Sequence, residues 1–248
     1  VDFILIDVDG HLKGYDSLAN VNGLTAGGDV EFTYDQNGGQ ASADQTLTAS
    51  NINTKDAAQD ITVETSDTRI RVRDASNNVI DNSTTKLTIA QGASTVGYDI
   101  RIEPNTPAGD YYVTFTYGTA KATVKVTVNP AVIETYAGYR PAMTNGPAAG
   151  DRLIDLSATI TATPGTEATT EFTAKTASGA TITSENLKAT DVVTLTVTLK
   201  ADPNHVFDVD NAALNRDDVG QLEGSTSQIA AVTNATTATI TYTWTVSA

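Results

Sequence analysis

The sequence predicts an all-β protein built from two tandem antiparallel β-sandwich domains. Apolar and polar residues alternate with a period of two in most segments, turn residues recur roughly every 8–12 positions, and no helical stripe of useful length is present. The two halves also end alike, each in a long alternating strand rich in Val and Thr. These features together are typical of tandem sandwich modules.

The clearest predicted strands form a pair at 107–129. One face of the first strand is apolar and carries Tyr111, Val113, Phe115 and Tyr117. One face of the second strand carries Ala122, Val124, Val126 and Val128. Gly118 occupies the turn, and Pro130 ends the second strand because proline cannot donate to a β-ladder. The pair is therefore expected to close the first domain, which we place at 1–130.

Shorter strands are predicted before this pair, at 1–8, 30–34, 45–52, 60–64, 69–73, 86–90 and 96–102. In 69–73 the apolar Ile70 and Val72 alternate with three arginines, which is typical of a half-buried strand. The segment that begins at Asp74 has the Asn and Ser content of an Asx turn.

Residues 131–150 are predicted to be a linker, because Pro141, Gly146, Pro147 and Gly150 interrupt the alternation there. The second domain is placed at 151–248. Its strands are predicted at 156–162, 171–176, 180–183, 193–200 and 238–246. Trp244, the only tryptophan, lies on the apolar face of the last strand and is expected to anchor the core of this domain.

The chain is strongly acidic, with 30 Asp and Glu against 15 Lys and Arg and a formal net charge of -15. Such a field repels phosphate backbones, so no nucleic-acid partner is expected. Of the acidic residues 22 are Asp, and short Asp side chains on loops are common oxygen ligands of calcium. The same composition also suits a solvated acidic surface.

The chain has no Cys, which excludes disulfides, thiolate metal sites and cysteine nucleophiles. It has no apolar run of about 18 residues, so no membrane insertion is expected. The sequence opens without Met, directly in a predicted strand, so we expect a chain processed from a longer protein with further domains outside this sequence.

The segment Thr106-Pro-Ala-Gly-Asp-Tyr-Tyr-Val-Thr-Phe115 resembles the late-strand signature of bacterial Ig-like domains, in which a corner tyrosine precedes the penultimate strand. The second half, with its Thr-Ile-Thr-Tyr-Thr-Trp-Thr-Val ending, is similar to modules of S-layer and other Gram-positive cell-surface proteins. The resemblance implies two tandem Ig-like domains. It also implies that the hydroxyl of Tyr111 or Tyr112 binds upstream backbone. The first fifty residues exceed a minimal Ig-like module, so we expect an N-terminal extension or an inserted extra strand there.

Two Asp clusters are candidate calcium sites. The first contains Asp7, Asp9 and Asp16, but its fifth and twelfth loop positions hold His11 and Leu18, which departs from an EF-hand. The second contains Asp208, Asp210, Asp217 and Asp218. For both clusters the alternative is a solvated acidic turn. The resemblance adds that calcium commonly fixes neighbouring domains in such proteins.

No enzyme activity is expected. The two histidines lie in different predicted domains and there is no Cys, so a zinc site would have too few nitrogen or sulfur ligands. No Gly-x-Ser-x-Gly elbow of a serine hydrolase is present. Paired carboxylates alone do not exclude glycosidase chemistry. However, aromatic residues make up 6% of the chain and mostly lie on predicted core faces, which counts against a sugar-stacking site.

Threonine rows occupy the polar faces of the strands at 193–200 and 238–246. Such rows suit the outer face of any strand, and they also resemble the surfaces of ice-binding proteins or acceptors of O-linked glycans. Asn82 and Asn234 each begin an N-glycosylation sequon, meaningful only in a host with that machinery.

The predicted function is therefore structural. We expect a secreted protein of the cell surface that forms a self-assembling S-layer-like array, with cations offsetting acidic repulsion at its contacts. Its predicted partners are other copies of itself and, through domains outside this sequence, a cell-wall polymer. The alternatives are an adhesin or ligand-binding Ig-like module, and a phage or virion decoration protein.

Overall fold

A computed structural model describes residues 2–6, 12–17, 22–134, 136–161, 163–209 and 219–247. These residues are almost entirely strand and turn, with short 3-10 helices at Ala137–Tyr139 and Leu153–Asp155. The chain is therefore all-β, as predicted. Contacts divide it into two units, Val1–Asn129 and Pro130–Ala248.

The first unit contains a hairpin and two five-stranded sheets. Its strands are β1 (Asp2–Ile6), β2 (Leu12–Ser17), β3 (Gly23–Thr25), β4 (Val30–Thr33), β5 (Gln40–Ala41), β6 (Gln45–Ser50), β7 (Gln59–Thr65), β8 (Ile70–Asp74), β9 (Leu87–Ile89), β10 (Thr95–Ile102), β11 (Gly109–Tyr117) and β12 (Ala120–Asn129). β1 and β2 pair with each other. One larger sheet has the order β3-β6-β10-β5, with β8 also on β10, and the other has the order β4-β12-β11-β7-β9.

The core of the first unit contains buried residues from both larger sheets. Val113 and Phe115 of β11 and Val124 and Val126 of β12 are each 0% exposed. The ring of Tyr98 in the other sheet packs against Phe115, with the ring centroids 4.7 Å apart. Each such buried side chain contributes roughly 1.5–3 kcal/mol to stability. The alternation at 107–129 therefore does place the apolar residues inward, and Gly118, with a φ of 57°, forms the tight turn.

The second unit is built on one five-stranded sheet. Its strands are β13 (Ala131–Ile133), β14 (Thr166–Lys175), β15 (Thr181–Ile182), β16 (Val192–Ala201), β17 (His205–Phe207), β18 (Thr226–Asn234) and β19 (Thr237–Thr245). The sheet has the order β15-β14-β16-β19-β18 and is antiparallel throughout. β13 and β17 form a separate two-stranded parallel sheet.

Aromatic side chains cover the inner face of this sheet. The buried residues of β16 and β19 pack against Tyr136, Tyr139 and Phe207, with Val219 and Leu222 beside them. The rings of Tyr136 and Phe207 are stacked at 5.8 Å. Trp244 is 4% exposed, which confirms its predicted place in the core.

The segment 131–150 is part of the second unit, so its prediction as a linker is wrong. Its first residues form β13, which pairs with β17, and Tyr136 and Tyr139 belong to the buried cluster. Proline and glycine indicated correctly that the segment lacks long strands. They did not reveal that its aromatic residues are buried against a distant sheet.

The strand predicted at 156–162 is not formed over its described residues, 156–161. A single bridge joins Thr159 to Ala142 in that region. β14, in contrast, begins at Thr166, earlier than predicted, and pairs with β16 along its full length. No helix among the described residues is long and apolar enough to cross a membrane.

Candidate functional site

The first candidate calcium cluster lies at the N-terminal hairpin. The backbone of Asp16 is in β2, opposite Phe3 of β1. Asp7 and Asp9 lie outside the described residues. A cation at these three carboxylates therefore stays a prediction.

The second candidate cluster begins where β17 ends. Asp208 is half-buried there. The pKa of the Tyr136 hydroxyl is raised to about 12. Burial is the main cause, and the nearby Tyr139 and Asp208 contribute less. Asp210, Asp217 and Asp218 lie outside the described residues. Within the described parts of the chain, no group of three or more His, Cys, Asp or Glu side chains is placed to share a metal ion.

His205 also lies in β17 and pairs with an acidic residue. Its Nδ1 is 2.7 Å from Oδ1 of Asp202, which also accepts a hydrogen bond from the backbone N–H of Asn204. The imidazole ring lies over Gly165, where a Cβ atom would come within 2.7 Å of it. The His205–Asp202 pair therefore holds the turn between β16 and β17. A side chain at position 165 would collide with the imidazole ring, so this position requires glycine. His11 lies outside the described residues.

Many aspartates in the described residues hold turns through their carboxylates. The clearest example is Asp81, whose Oδ1 accepts the backbone N–H groups of Ser83, Thr84 and Thr85, each at 2.8 Å. These hydrogen bonds, with that of Thr85 first, lower the pKa of Asp81 below its ordinary value.

The predicted Asx turn at Asp74 is confirmed. Its Oδ1 accepts from the backbone N–H groups of Ser76 and Asn78, each at 2.9 Å. Among the described aspartates, seven accept a backbone N–H group at a turn, namely Asp35, Asp67, Asp74, Asp81, Asp151, Asp191 and Asp202. Much of the Asp content therefore satisfies backbone donors that strands leave unpaired at their ends.

Asp67 adds an ion pair to its turn. Its carboxylate accepts hydrogen bonds from Nε and Nη2 of Arg69 at 2.9 and 2.7 Å. The side-chain hydrogen bond from Arg69 is the main cause that lowers the pKa of Asp67 to about 2. This bidentate contact joins the end of β7 to the start of β8.

A tyrosine corner lies at the start of the long hairpin of the first unit. The hydroxyl of Tyr111 donates a hydrogen bond to the carbonyl oxygen of Pro107 at 2.8 Å. Tyr112, the alternative corner residue, is 47% exposed. The resemblance therefore identified the correct kind of contact, and Tyr111 is the residue that makes it.

The sequon residue Asn82 has a structural role. Its Oδ1 accepts from the backbone N–H of Val63 at 2.9 Å, and its Nδ2 donates to the carbonyl oxygen of Val63 at 2.6 Å. A glycan on Nδ2 would disrupt this pair of bonds. At the other sequon, Oδ1 of Asn234 accepts from the backbone and the hydroxyl of Thr236.

The second unit has a cavity of about 340 Å³ beside Trp244. Arg140, Met143, Leu222 and Glu223 are among its lining residues. The indole N–H donates to the carbonyl oxygen of Glu223 at 3.0 Å, and Nη2 of Arg140 donates to the carbonyl oxygen of Gln221 at 2.7 Å. The cavity thus combines an apolar wall with a guanidinium group.

Two outward sheet faces differ in their chemistry. The first, which we call the charged face, comprises the outward residues of β7, β11 and β12: Asp60, Thr62, Glu64, Asp110, Tyr112, Thr114, Thr116, Lys121, Thr123, Lys125 and Thr127. Nζ of Lys125 is 3.0 Å from Oδ2 of Asp110. Nζ of Lys86 is 2.8 Å from Oδ2 of Asp60. Ion pairs therefore cross this face.

The second, which we call the threonine face, comprises the outward residues of β14, β16 and β19. These are Glu167, Thr169, Glu171, Thr173, Lys175, Val192, Thr194, Thr196, Thr198, Lys200, Thr237, Thr239, Thr241, Thr243 and Thr245. Rows run across the three strands in register, such as Thr169–Thr198–Thr239 and Thr173–Thr194–Thr243. The rows seen in sequence therefore lie on neighbouring strands and form a two-dimensional array.

Comparison with known proteins assigns no family to this chain. Scans against protein-family models and curated proteins found no match. Among solved structures, domains 5-6 of the S-layer protein SbsC share 13% sequence identity with this chain at a TM-score of 0.24, covering 87% of this chain and 78% of that one. A TM-score of this size does not establish a common fold.

Sequence reasoning missed the cavity and most of the turn carboxylates. The cavity joins residues near 140 to others near 222 and 244, and no local signal connects these segments. The turns at Asp35 and Asp81 were open to prediction, because Ser, Thr, Asn or Gly follows each aspartate within four residues.

Proposed function

We propose that this chain is a structural, non-enzymatic segment of an extracellular surface protein that assembles into an S-layer-like array with cation-stabilised contacts. The observation that carries the proposal is the use of the Asp side chains. Among the described residues, seven of them hold turns by accepting backbone N–H groups, so these carboxylates maintain the backbone, which supports the structural part of the proposal.

Each unit is proposed to be an Ig-like sandwich. In the first unit this is supported by the tyrosine corner at Tyr111 and by the contact of Tyr98 with Phe115 between the two sheets. In the second unit the covering layer is smaller, since the paired strands β13 and β17 and the aromatic residues near 136–139 cover one sheet. The second unit would therefore be a reduced variant of the same architecture.

Calcium is the proposed cofactor of assembly. Copies with a net charge of -15 repel one another at low ionic strength, and a divalent cation between carboxylates offsets that repulsion. The candidate ligands are Asp7, Asp9 and Asp16 in one cluster and Asp208, Asp210, Asp217 and Asp218 in the other. The proposed partners are other copies of the chain and, through domains outside this sequence, a cell-wall polymer.

A ligand-binding module, such as an adhesin, is the second candidate. The cavity beside Trp244 favours it, because Arg140 and the indole ring together suit a small ligand with an anionic group and an apolar body. Trp244 fluorescence on titration with such ligands tests this candidate directly.

The test of the main proposal is sedimentation velocity of the full chain over a wide concentration range, in millimolar calcium and in chelator. We expect large species to appear with concentration in calcium and to dissociate in chelator. A monomer at every concentration in both buffers would contradict the proposal. Joint replacement of Asp208 and Asp210 by Asn, compared with Asp7 and Asp9 by Asn, then assigns the effect to one cluster.

A further inference from the structure

The threonine face stands out because it carries no net charge on a strongly acidic chain. Ten of its fifteen positions are Thr, and its two lysines and two glutamates leave no net charge. Three of these four charged residues lie on β14. Lys200 is therefore the one charged residue among the outward positions of β16 and β19. On this face, two copies of a protein with a net charge of -15 would meet with little repulsion.

The chemistry of threonine also makes the face complementary to itself. Each hydroxyl both donates and accepts a hydrogen bond, so one array of hydroxyl groups pairs with an identical array. A two-fold contact requires this property, because each residue type meets the same surface on the partner. When the two-fold axis runs across the strands at the level of Thr196, such a contact also lets Glu167 of one copy approach Lys175 of the other.

The size of the face indicates how strong such a contact is. Three strands about 4.8 Å apart and nine residues long at about 3.4 Å each present roughly 400 Å². A stable pair of proteins buries about 800 Å² on each partner. The face alone therefore supports a weak contact, which becomes effective when many copies are held in one array.

We propose that the threonine face is a contact surface between copies of this chain, in which the face of one copy packs against the same face of another. This inference rests on the proposed function, since it names the surface through which copies of the array meet. It adds a specific, two-fold contact that is separate from the acidic cation clusters.

The test introduces charge at the centre of the face. Thr196 and Thr241 are direct neighbours on β16 and β19, so T196D and T241D place carboxylates where two faces would meet. T123D is the matched control, because Thr123 lies in the middle of β12 on the charged face. T196K separates a contact effect from a change in net charge.

Each variant is studied by sedimentation velocity in millimolar calcium, after circular dichroism has shown that it folds. We expect T196D, T241D and T196K each to weaken self-association at least tenfold, whereas T123D associates like the wild type. If T196D and T123D have equal effects while the wild type associates, the inference is overturned and the proposed function stands. If T196K associates more strongly than the wild type, the face acts through net charge alone, which also overturns it.

The two buffers separate the two proposals. Association of the wild type in chelator, abolished by T196D, supports the threonine contact and contradicts the role of calcium. A wild type that stays monomeric in both buffers overturns both proposals.

Discussion

The charged face of the first unit and the threonine face of the second have the same strand geometry but different outward chemistry. Both lie on the outward side of long antiparallel strands whose inward residues are buried or partly buried. On the charged face, side chains such as Lys125 and Asp110 satisfy one another. None of the ion pairs among the described side chains involves the threonine face.

The difference shows that β-alternation fixes which residues are inward but leaves the outward chemistry open. Exposed ion pairs contribute little to the free energy of unfolding. Outward threonines contribute little beyond their preference for strands. The outward residues are thus free to determine solubility and contacts. We therefore expect changes on either face to affect association more than folding, and changes on the inward side to do the reverse.

The largest expected effect is a difference in stability between substitutions on the inward and outward sides of β16. Leu195 is 0% exposed in β16, and Leu195→Ala should lower the free energy of unfolding by about 3 kcal/mol because it leaves a cavity. Thr196→Ala, one residue later on the threonine face, should cost about 1 kcal/mol or less. Urea unfolding followed by Trp244 fluorescence measures both. Equal losses would show that Thr196 is not on an outward face.

Acid should weaken the first unit. Hydrogen bonds lower the pKa of the turn carboxylates of Asp67, Asp74 and Asp81 in the folded state, to about 2 for Asp67. A carboxylate with a lowered pKa stabilises the fold above its unfolded pKa near 3.8, and this contribution is lost as the pH falls towards its folded value. We expect the first unit to lose stability between about pH 4 and pH 2.

The acid experiment can distinguish the two units, because the only tryptophan lies in the second. Urea unfolding at several pH values is followed by circular dichroism, which reports both units, and by fluorescence, which reports the second. The transition seen by circular dichroism alone should move to lower urea in acid. If that transition is the same at pH 7 and pH 2, the turn carboxylates do not stabilise the first unit.

Loss of the tyrosine corner should have a moderate effect. Tyr111→Phe removes the hydroxyl that binds the Pro107 carbonyl and should cost about 1 kcal/mol. Tyr112→Phe changes the neighbouring, exposed tyrosine on the charged face and is the control, for which no resolvable change is expected. Circular dichroism in urea compares them. A larger loss of stability for Tyr112→Phe than for Tyr111→Phe would show that Tyr112, not Tyr111, makes the corner contact.

The smallest effect is expected for an ion pair of the charged face. Both members of the Lys125–Asp110 pair are well exposed, at 41% and 48%. Lys125→Ala should therefore leave the urea midpoint unchanged within error, at low and at high salt. A clear, salt-dependent fall in the midpoint would show that this face contributes to folding.

Prediction from sequence succeeded where the signal is local. The hairpin at 107–129, the corner at Tyr111 and the turn at Asp74 each depend on residues close in the chain. It failed where contacts are distant, as in the pairing of Ala131 with His205. The segment 156–162 alternates Leu, Ala and Ile with Ser and Thr, and this local alternation alone did not specify a strand. Asp content alone also did not distinguish turn acceptors from cation ligands.

The most direct test of the account is negative-stain electron microscopy of the full chain at high concentration, once with millimolar calcium and once with chelator. We predict sheets, tubes or filaments in calcium and dispersed particles in chelator. Dispersed particles in both conditions would contradict a self-assembling array and favour the ligand-binding alternative.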